Sequence, residues 1–195
     1  MRRAERAERP RQAAPMRIRW VPGGRSEADQ AVTVLYDTHY RALTRLAALL
    51  VSDVAAAEEI VQDAFVVIHS GWQHVGDGGM ALPCLLRAVV RQSRASRAAR
   101  GDPPGRQAGT PPEGKVQALA MPEPGLVTAL RALPARQREA LVLRYYADLP
   151  EAQIAAAMGI RARTAHLHVT RGMSSLSAVL ESGPGPERRP ARTAG

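Results

Sequence analysis

The feature that most constrains this chain is a helix-glycine-helix pattern in residues 148–171. Ile154, Ala155 and Met158 recur at helical spacing and predict one inward-facing stripe. Gly159 follows that stripe and supplies the permissive backbone needed where one helix ends and the next begins at a steep angle. The segment therefore predicts two short helices joined by a tight turn, which is the arrangement of a helix-turn-helix.

The second helix of this pair has an apolar side and a basic side. Its apolar positions, which we expect to be buried, are Ile160, Ala165, Val169 and Met173. The basic side carries donors of the kind that reach phosphates and base edges in the DNA major groove; these candidate DNA-binding residues are Arg161, Arg163, Thr164, His166, His168 and Arg171. Because positions two apart lie roughly 200° apart around a helix, the two histidines are not expected to share a metal ion.

Charge and cysteine content narrow the class of protein. The formal net charge of +9 and the isoelectric point of about 11.0 suit a chain that binds a polyanion such as nucleic acid. Cys84 is the only cysteine, which excludes an internal disulfide and predicts a small core residue in a reducing compartment. No apolar run reaches the length of a membrane span, and the arginine-rich first residues lack the hydrophobic segment of a secretion signal. We therefore expect a cytoplasmic protein.

Composition and periodicity divide the chain into five segments. Residues 1–26, rich in arginine, proline and glycine, suit a disordered basic arm, and residues 27–101 carry the periodicity of a first helical lobe. Residues 102–125 hold many prolines and glycines, which oppose helix and predict a flexible linker. Residues 126–181 are expected to form a second helical lobe, and residues 182–195 a disordered tail. The predicted fold class is all-α, with two small lobes.

The first lobe is predicted to contain three helices. Ser52 or Asp53 follows the first helix and can cap the second. The buried side of the second helix includes Phe65, and its opposite, acidic face carries Glu59, Gln62 and Asp63. After a break at residues 76–79, a third helix is expected from Met80 or Leu82 to about Arg100. This third helix buries Leu82, Leu85 and Val89, and its basic side carries Arg87, Arg91, Arg94 and Arg97.

Two motifs in this order carry a family resemblance. One is Ala57-Glu-Glu-Ile-Val-Gln-Asp-Ala-Phe65, followed by Trp72 and the basic helix. The other is Leu133-Pro-Ala-Arg-Gln-Arg-Glu-Ala-Leu-Val-Leu-Arg-Tyr-Tyr146, followed by the helix-turn-helix. Together they resemble the extracytoplasmic-function class of bacterial sigma factors in the sigma-70 family, over residues from about 30 to 181. The resemblance implies region 2-like and region 4-like lobes, with core RNA polymerase and promoter DNA as partners. It also implies no catalytic residue, cofactor or metal of the chain's own.

The same resemblance assigns expected roles. Glu59, Gln62 and Asp63 match positions that dock on the clamp coiled coil of the polymerase largest subunit, and an acidic face suits a basic partner. The basic helix, with Arg87, Arg91, Arg94 and Arg97, matches the part that contacts the proximal promoter element as it melts. The preceding loop, residues 74–79, matches the site that captures an unstacked base. The helix-turn-helix would read the distal element as duplex. An anti-sigma factor is a further candidate partner.

The chain departs from the family pattern at three places. Leu82-Pro-Cys-Leu-Leu86 stands where an aromatic residue is common, and Arg91 and Ala95 stand in place of an Asn and an Asp. Thr164-Ala-His-Leu-His168 replaces a Thr-Val-Lys-Ser-Arg pattern, so two histidines take the place of two permanent cations. These departures bear on strand opening and on phosphate contact. They favour one alternative, a divergent sigma-like interaction protein. A second alternative, a freestanding helix-turn-helix regulator, is disfavoured by the acidic second helix and the order of the lobes.

Overall fold

A computed structural model describes residues 25–75, 78–101 and 122–181, and every regular element in these ranges is helical. The elements are α1 (Arg25–Val51), α2 (Val54–Ser70), α3 (Trp72–Val75), α4 (Gly78–Ala99), α5 (Pro124–Ala132), α6 (Ala135–Leu141), a π-helical turn that continues α6 (Val142–Tyr146), α7 (Glu151–Met158) and α8 (Ala162–Glu181). The all-α prediction is confirmed.

The first lobe is built from α1, α2 and α4, which pack side by side. Asp53, and not Ser52, caps α2: its Oδ1 accepts hydrogen bonds from the backbone N–H groups of Ala55 at 2.9 Å and Ala56 at 3.3 Å. The other carboxylate oxygen of Asp53 accepts a hydrogen bond from Arg100, just beyond the end of α4, at 3.0 Å. Phe65 is buried, as its position in the sequence predicts. One residue thus caps α2 and ties it to α4.

The second lobe contains the helix-turn-helix. Ile154, Ala155 and Met158 are buried on α7, which confirms the inward stripe. Gly159 adopts a left-handed backbone conformation with φ +66°, and its N–H bonds back to the carbonyls of Ala155 and Ala156. A residue with a Cβ is strained in this conformation, so glycine is the residue best suited to end α7 and start the turn.

The two lobes pack against each other. Helix α4 lies on α7, and α1 contacts α5, α6 and the π-helical turn. A single hydrophobic cluster runs through both lobes; it includes Leu50 and Val89 on one side and Leu141 and Ile154 on the other. The arrangement is therefore closed, with the basic end of α4 facing the second lobe.

Several element boundaries differ from those expected. Helix α1 begins at Arg25, inside the segment expected to be an arm, and α4 begins at Gly78, inside the expected break. Helix α5 begins at Pro124, inside the expected linker, because proline is tolerated in the first helical turn, where its missing N–H has no partner to lose. The rest of the expected arm, linker and tail, in residues 1–24, 102–121 and 182–195, lies outside the described residues.

Candidate nucleic-acid interface

Helix α8 is fixed by close contact with α6. Gly172 is buried, and a Cβ added there would lie 2.9 Å from Cγ of Leu141 and 3.3 Å from the carbonyl oxygen of Gln137. The helices approach so closely because Gly172 has no side chain. Ala165, seven positions earlier, is buried on the same side. The inner edge of α8 is therefore made by two of the smallest residues.

This packing corrects one expectation about the buried side of α8. Ile160 and Val169 are half-buried, but Met173 is 38% exposed and is not part of the core. Contact at Gly172 turns the next residue outward, and Met173 lines an open apolar groove of about 350 Å³ with Leu126, Tyr145 and Leu176.

The opposite side of α8 presents the candidate DNA-binding residues to solvent. Arg161, Arg163, Arg171 and His166 are exposed, whereas Thr164 and His168 are half-buried. Within the described ranges, the three arginines form no ion pair with an acidic side chain. Their guanidinium groups are thus available to phosphate oxygens and base edges.

Sequence reasoning missed an apolar group on this face. Leu167 is 43% exposed and stands four positions after Arg163 and four before Arg171, on the same side of the helix. An apolar side chain in the major groove can contact the methyl group of thymine. The signal in the sequence was a leucine at a position where helical periodicity required a polar residue.

His166 is held by an acidic neighbour. Its Nδ1 lies 2.7 Å from Oε1 of Glu151, the first residue of α7, and both side chains are about half exposed, at 59% and 48%. An exposed pair of this kind is worth about 0–1 kcal/mol, so DNA can displace it. His166 therefore links the two helices of the motif, and a ligand at their surface can replace Glu151 as its partner.

A separate surface lies on α2. Glu59, Gln62 and Asp63 are all exposed, as the helical pattern predicts. Val66, one turn further on, is 63% exposed, and Val67 is also exposed. An acidic strip beside exposed valines is suited to a protein partner with a basic and partly apolar surface.

The basic side of α4 is divided. Arg87 and Arg91 are exposed, but Arg94 and Arg97 point toward the second lobe and bind Glu139 of α6. Arg94 Nη2 lies 2.7 Å from Oε2 of Glu139, and Arg97 Nη2 lies 2.7 Å from Oε1. The Arg94 Nε also donates to both oxygens, at 3.1 and 3.0 Å.

Two further contacts complete this group, which we call the Glu139 cluster: Glu139 with Arg94, Arg97 and Arg136. Arg136 Nη1 lies 3.5 Å from Oε2 of Glu139, and Arg94 Nη1 donates to the carbonyl oxygen of Met158, at the end of α7, at 3.0 Å. Only 1% of the Glu139 side chain is exposed. Sequence reasoning did not single out Glu139, although it lies within one of the two family motifs.

The loop before α4 differs from the expectation. The captured-base loop expected at residues 74–79 is largely helical, since His74 lies in α3 and Gly78 and Gly79 begin α4. Cys84 is a free thiol, half-buried against the core cluster. Across residues 25–75, 78–101 and 122–181, no group of histidine, cysteine and acidic side chains could hold a metal ion. None of the helices described is both long and apolar enough to cross a bilayer.

Known proteins resemble this chain in sequence and fold. A profile of the family described as "Sigma-70, region 4" matches residues 125–176. The ECF RNA polymerase sigma factor SigL of Mycobacterium tuberculosis is 28% identical over 171 residues, which cover 83% of this chain and 95% of SigL.

Two solved structures share the fold. CnrH, in complex with the cytosolic domain of CnrY, superposes with a TM-score of 0.55 at 20% identity, over 82% of this chain and 98% of that one. The sigma factor RpoE, in complex with the anti-sigma factor NepR from Bartonella quintana, gives a TM-score of 0.52 at 20% identity, over 84% of this chain and 100% of that one.

Proposed function

We propose that the chain is a sigma factor of the extracytoplasmic-function class, which its similarity to the region 4 family and to SigL supports, and that its surfaces have separate roles in initiation. It binds core RNA polymerase and directs promoter recognition and the start of transcription. The second lobe reads the distal promoter element as duplex through α8. The first lobe docks on polymerase through α2 and contacts the proximal element through α4. The polymerase supplies the metal and the chemistry, and the chain acts in the cytoplasm without catalytic residues or a cofactor of its own.

One observation supports the proposal that α8 recognises the distal promoter element. Arg163 and Arg171 on α8, and Arg161 just before it, are exposed and form no ion pair with an acidic side chain in the described ranges, and the other side of α8 packs on α6 at Gly172. A rigid helix with free guanidinium groups meets the requirement for reading base edges, because bidentate contacts need a fixed geometry. Thr164, His166 and His168 border the same face and would add hydrogen bonds to phosphates.

The polymerase-docking role is supported by charge and exposure on α2. Glu59, Gln62 and Asp63 point away from the buried side that holds Phe65, so their replacement leaves the core intact. The neighbouring Val66 adds apolar surface that is better covered than left in water. The predicted partner surface is a basic one on the largest subunit.

An anti-sigma factor is the third partner we propose, beside core polymerase and promoter DNA. Both solved neighbours are complexes, of CnrH with the cytosolic domain of CnrY and of RpoE with the anti-sigma factor NepR. The closed packing of the two lobes offers such a partner both lobes at once.

A reconstituted transcription reaction tests the function as a whole. Purified core polymerase is given a pool of genomic promoter fragments, with and without this chain, and the transcripts are sequenced. We expect promoter-specific transcripts only when the chain is present. DNA binding without polymerase-dependent transcripts would instead indicate a freestanding regulator. Polymerase binding without transcripts would indicate a sigma-like interaction protein.

A pull-down with core polymerase tests the docking face. Glu59→Lys with Asp63→Lys should weaken association by about tenfold or more, because both charges would then oppose a basic partner. The matched control is Glu27→Lys with Asp37→Lys, which makes the same charge change at exposed positions of α1. Equal binding by the two double variants would remove the docking role. Circular dichroism verifies that both remain helical.

A further inference from the structure

The Glu139 cluster holds two of the arginines that the proposed function assigns to DNA. We propose that Glu139 is an internal competitor of DNA: it occupies Arg94 and Arg97 while the lobes are packed together, and releases them when the lobes separate. This inference rests on the proposed role of α4 at the proximal element, and it adds a condition to that role. In the closed state Arg87 and Arg91 are exposed, whereas the side chains of Arg94 and Arg97 are 26% and 11% exposed.

A carboxylate is a direct rival of a phosphate for a guanidinium group. Both offer paired oxygens that accept two parallel N–H donors, and both carry the charge that strengthens these bonds. Arg94 has no nitrogen left over: Nε and Nη2 donate to Glu139, and Nη1 donates to the carbonyl oxygen of Met158. The Arg97 side chain is 11% exposed, with Nη2 on Glu139. A DNA phosphate therefore competes with Glu139 for the nitrogens that bind this carboxylate.

The position of the cluster couples this displacement to separation of the lobes. Arg94 and Arg97 belong to α4 of the first lobe, whereas Glu139 belongs to α6 and Met158 to α7 of the second. The chain positions of Arg94 and Glu139 are 45 residues apart, so no local backbone holds the pair together. Moving Glu139 away from α4 therefore means moving the second lobe.

The energetics of a buried ion pair suit a contact that must open. Desolvation of the charges offsets much of their attraction, so such a pair adds little net stability although each partner depends strongly on the other. When the lobes part, water solvates Glu139 and the arginines alike. DNA then supplies a second set of acceptors to the arginines alone. Binding of DNA and the closed arrangement are thus mutually exclusive at these two side chains.

Glu139→Gln in the full chain tests the proposal, because glutamine keeps the shape of the side chain and removes its charge. Binding of a fluorescein-labelled single-stranded oligodeoxynucleotide is followed by fluorescence anisotropy, and the radius of gyration is measured by small-angle X-ray scattering. We expect an expanded protein that binds the strand roughly tenfold more tightly, since apparent affinity scales with the fraction of open molecules. Glu181→Gln makes the same charge change at an exposed residue of α8 and should alter neither quantity by a comparable amount.

A second variant identifies the groups that are released. Adding Arg94→Gln and Arg97→Gln to Glu139→Gln should abolish the tighter binding while the protein stays expanded. Unchanged binding by Glu139→Gln overturns the proposal. If Glu139→Gln expands the protein but leaves strand binding unchanged, the proposed DNA role of the two arginines has failed. If Arg94→Gln with Arg97→Gln alone weakens binding and Glu139→Gln has no effect, the competition has failed and the DNA role stands.

A shorter side chain covers the case in which Glu139→Gln does not fold. Glu139→Asp keeps the charge but reaches less far, so it should give a smaller expansion and a smaller gain in strand binding. No gain with this folded variant likewise overturns the proposal.

Discussion

Two basic surfaces of this protein look alike in sequence and differ in the structure. Arg161, just before α8, and Arg163 and Arg171, on α8, are exposed without an acidic partner in the described ranges. On α4, Arg94 and Arg97 are covered by Glu139 from the other lobe. Both surfaces combine several arginines with a helix whose other side is apolar. Whether an arginine is free to bind DNA is decided by what packs against its helix, and the local pattern does not contain that information.

The comparison separates two kinds of surface. The arginines of the α8 face are exposed in the closed arrangement, whereas two arginines of the α4 face are bound to Glu139. Under the proposed function, the second lobe would meet duplex DNA first, and the first lobe would complete its contacts after the lobes separate. Four measurements test this contrast.

The largest difference is expected in stability. Arg94→Ala with Arg97→Ala leaves the buried Glu139 with only the more distant Arg136, and should lower the free energy of unfolding by about 3 kcal/mol or more. Arg161→Ala with Arg163→Ala removes the same charge from an exposed surface and should change it by less than about 0.5 kcal/mol. Urea denaturation followed by circular dichroism measures both. Equal losses would erase the distinction between the two surfaces.

The next effect tests how α8 is held. Gly172→Ala brings a methyl group to 2.9 Å from Leu141 Cγ, which is closer than packed carbons approach, and should destabilise the protein by about 1–3 kcal/mol. Gly125→Ala, in α5, meets nothing within 4 Å and should be neutral or stabilising by up to about 1 kcal/mol. Thermal denaturation compares the two. A neutral Gly172→Ala would show that α6 and α8 can move apart without loss.

Recognition of the distal element should depend on single arginines of α8. Arg163→Ala should cost about 1–3 kcal/mol of binding and relax the preference at one base pair if the side chain makes a bidentate base contact. A phosphate contact would instead weaken all sequences evenly and flatten the salt dependence. Binding to a library of duplex sites at two salt concentrations distinguishes these outcomes. No change in affinity or preference would mean that α8 does not read DNA.

The smallest effect concerns His166. Glu151→Gln removes its partner and should tighten binding to the distal duplex by about 0.2–1 kcal/mol, the range of an exposed ion pair. Removing a negative charge near DNA would also strengthen duplex binding by itself. Glu151→Gln is therefore also measured in a protein that carries His166→Ala. Competition for the histidine predicts that the gain disappears in that background. A gain of equal size in both backgrounds would assign it to the charge of Glu151 alone.

The sequence predicted those features that depend on neighbouring residues. The helix-turn-helix was found because the stripe of Ile154, Ala155 and Met158 and the turn at Gly159 lie within a few positions of one another. The sequence offered Ser52 and Asp53 as N-caps of α2, and in the structure the cap is Asp53. The exposure of the acidic face on α2 likewise followed from helical periodicity.

The remaining features depend on residues far apart in the chain. Glu139 has a partner 45 positions away, so no window of local sequence could reveal that it covers Arg94. Met173 was expected to be buried because it continues the helical spacing of apolar residues. Gly172 packs against Leu141 instead, so the buried position is residue 172 and Met173 faces outward. The start of α5 was hidden because proline and glycine, which usually interrupt helices, here open one at Pro124.

Gly172 determines how much of the second lobe has to be transplanted together with the helix-turn-helix. The residues that would touch bases lie in the first half of α8, while the contact that fixes the direction of the helix lies beyond them, against α6. A graft of residues 148–171 into another scaffold would carry every side chain of the motif. It would lose the contact of Gly172 with α6, which fixes the direction of α8. The smallest transplantable unit therefore includes α6 and extends past Gly172.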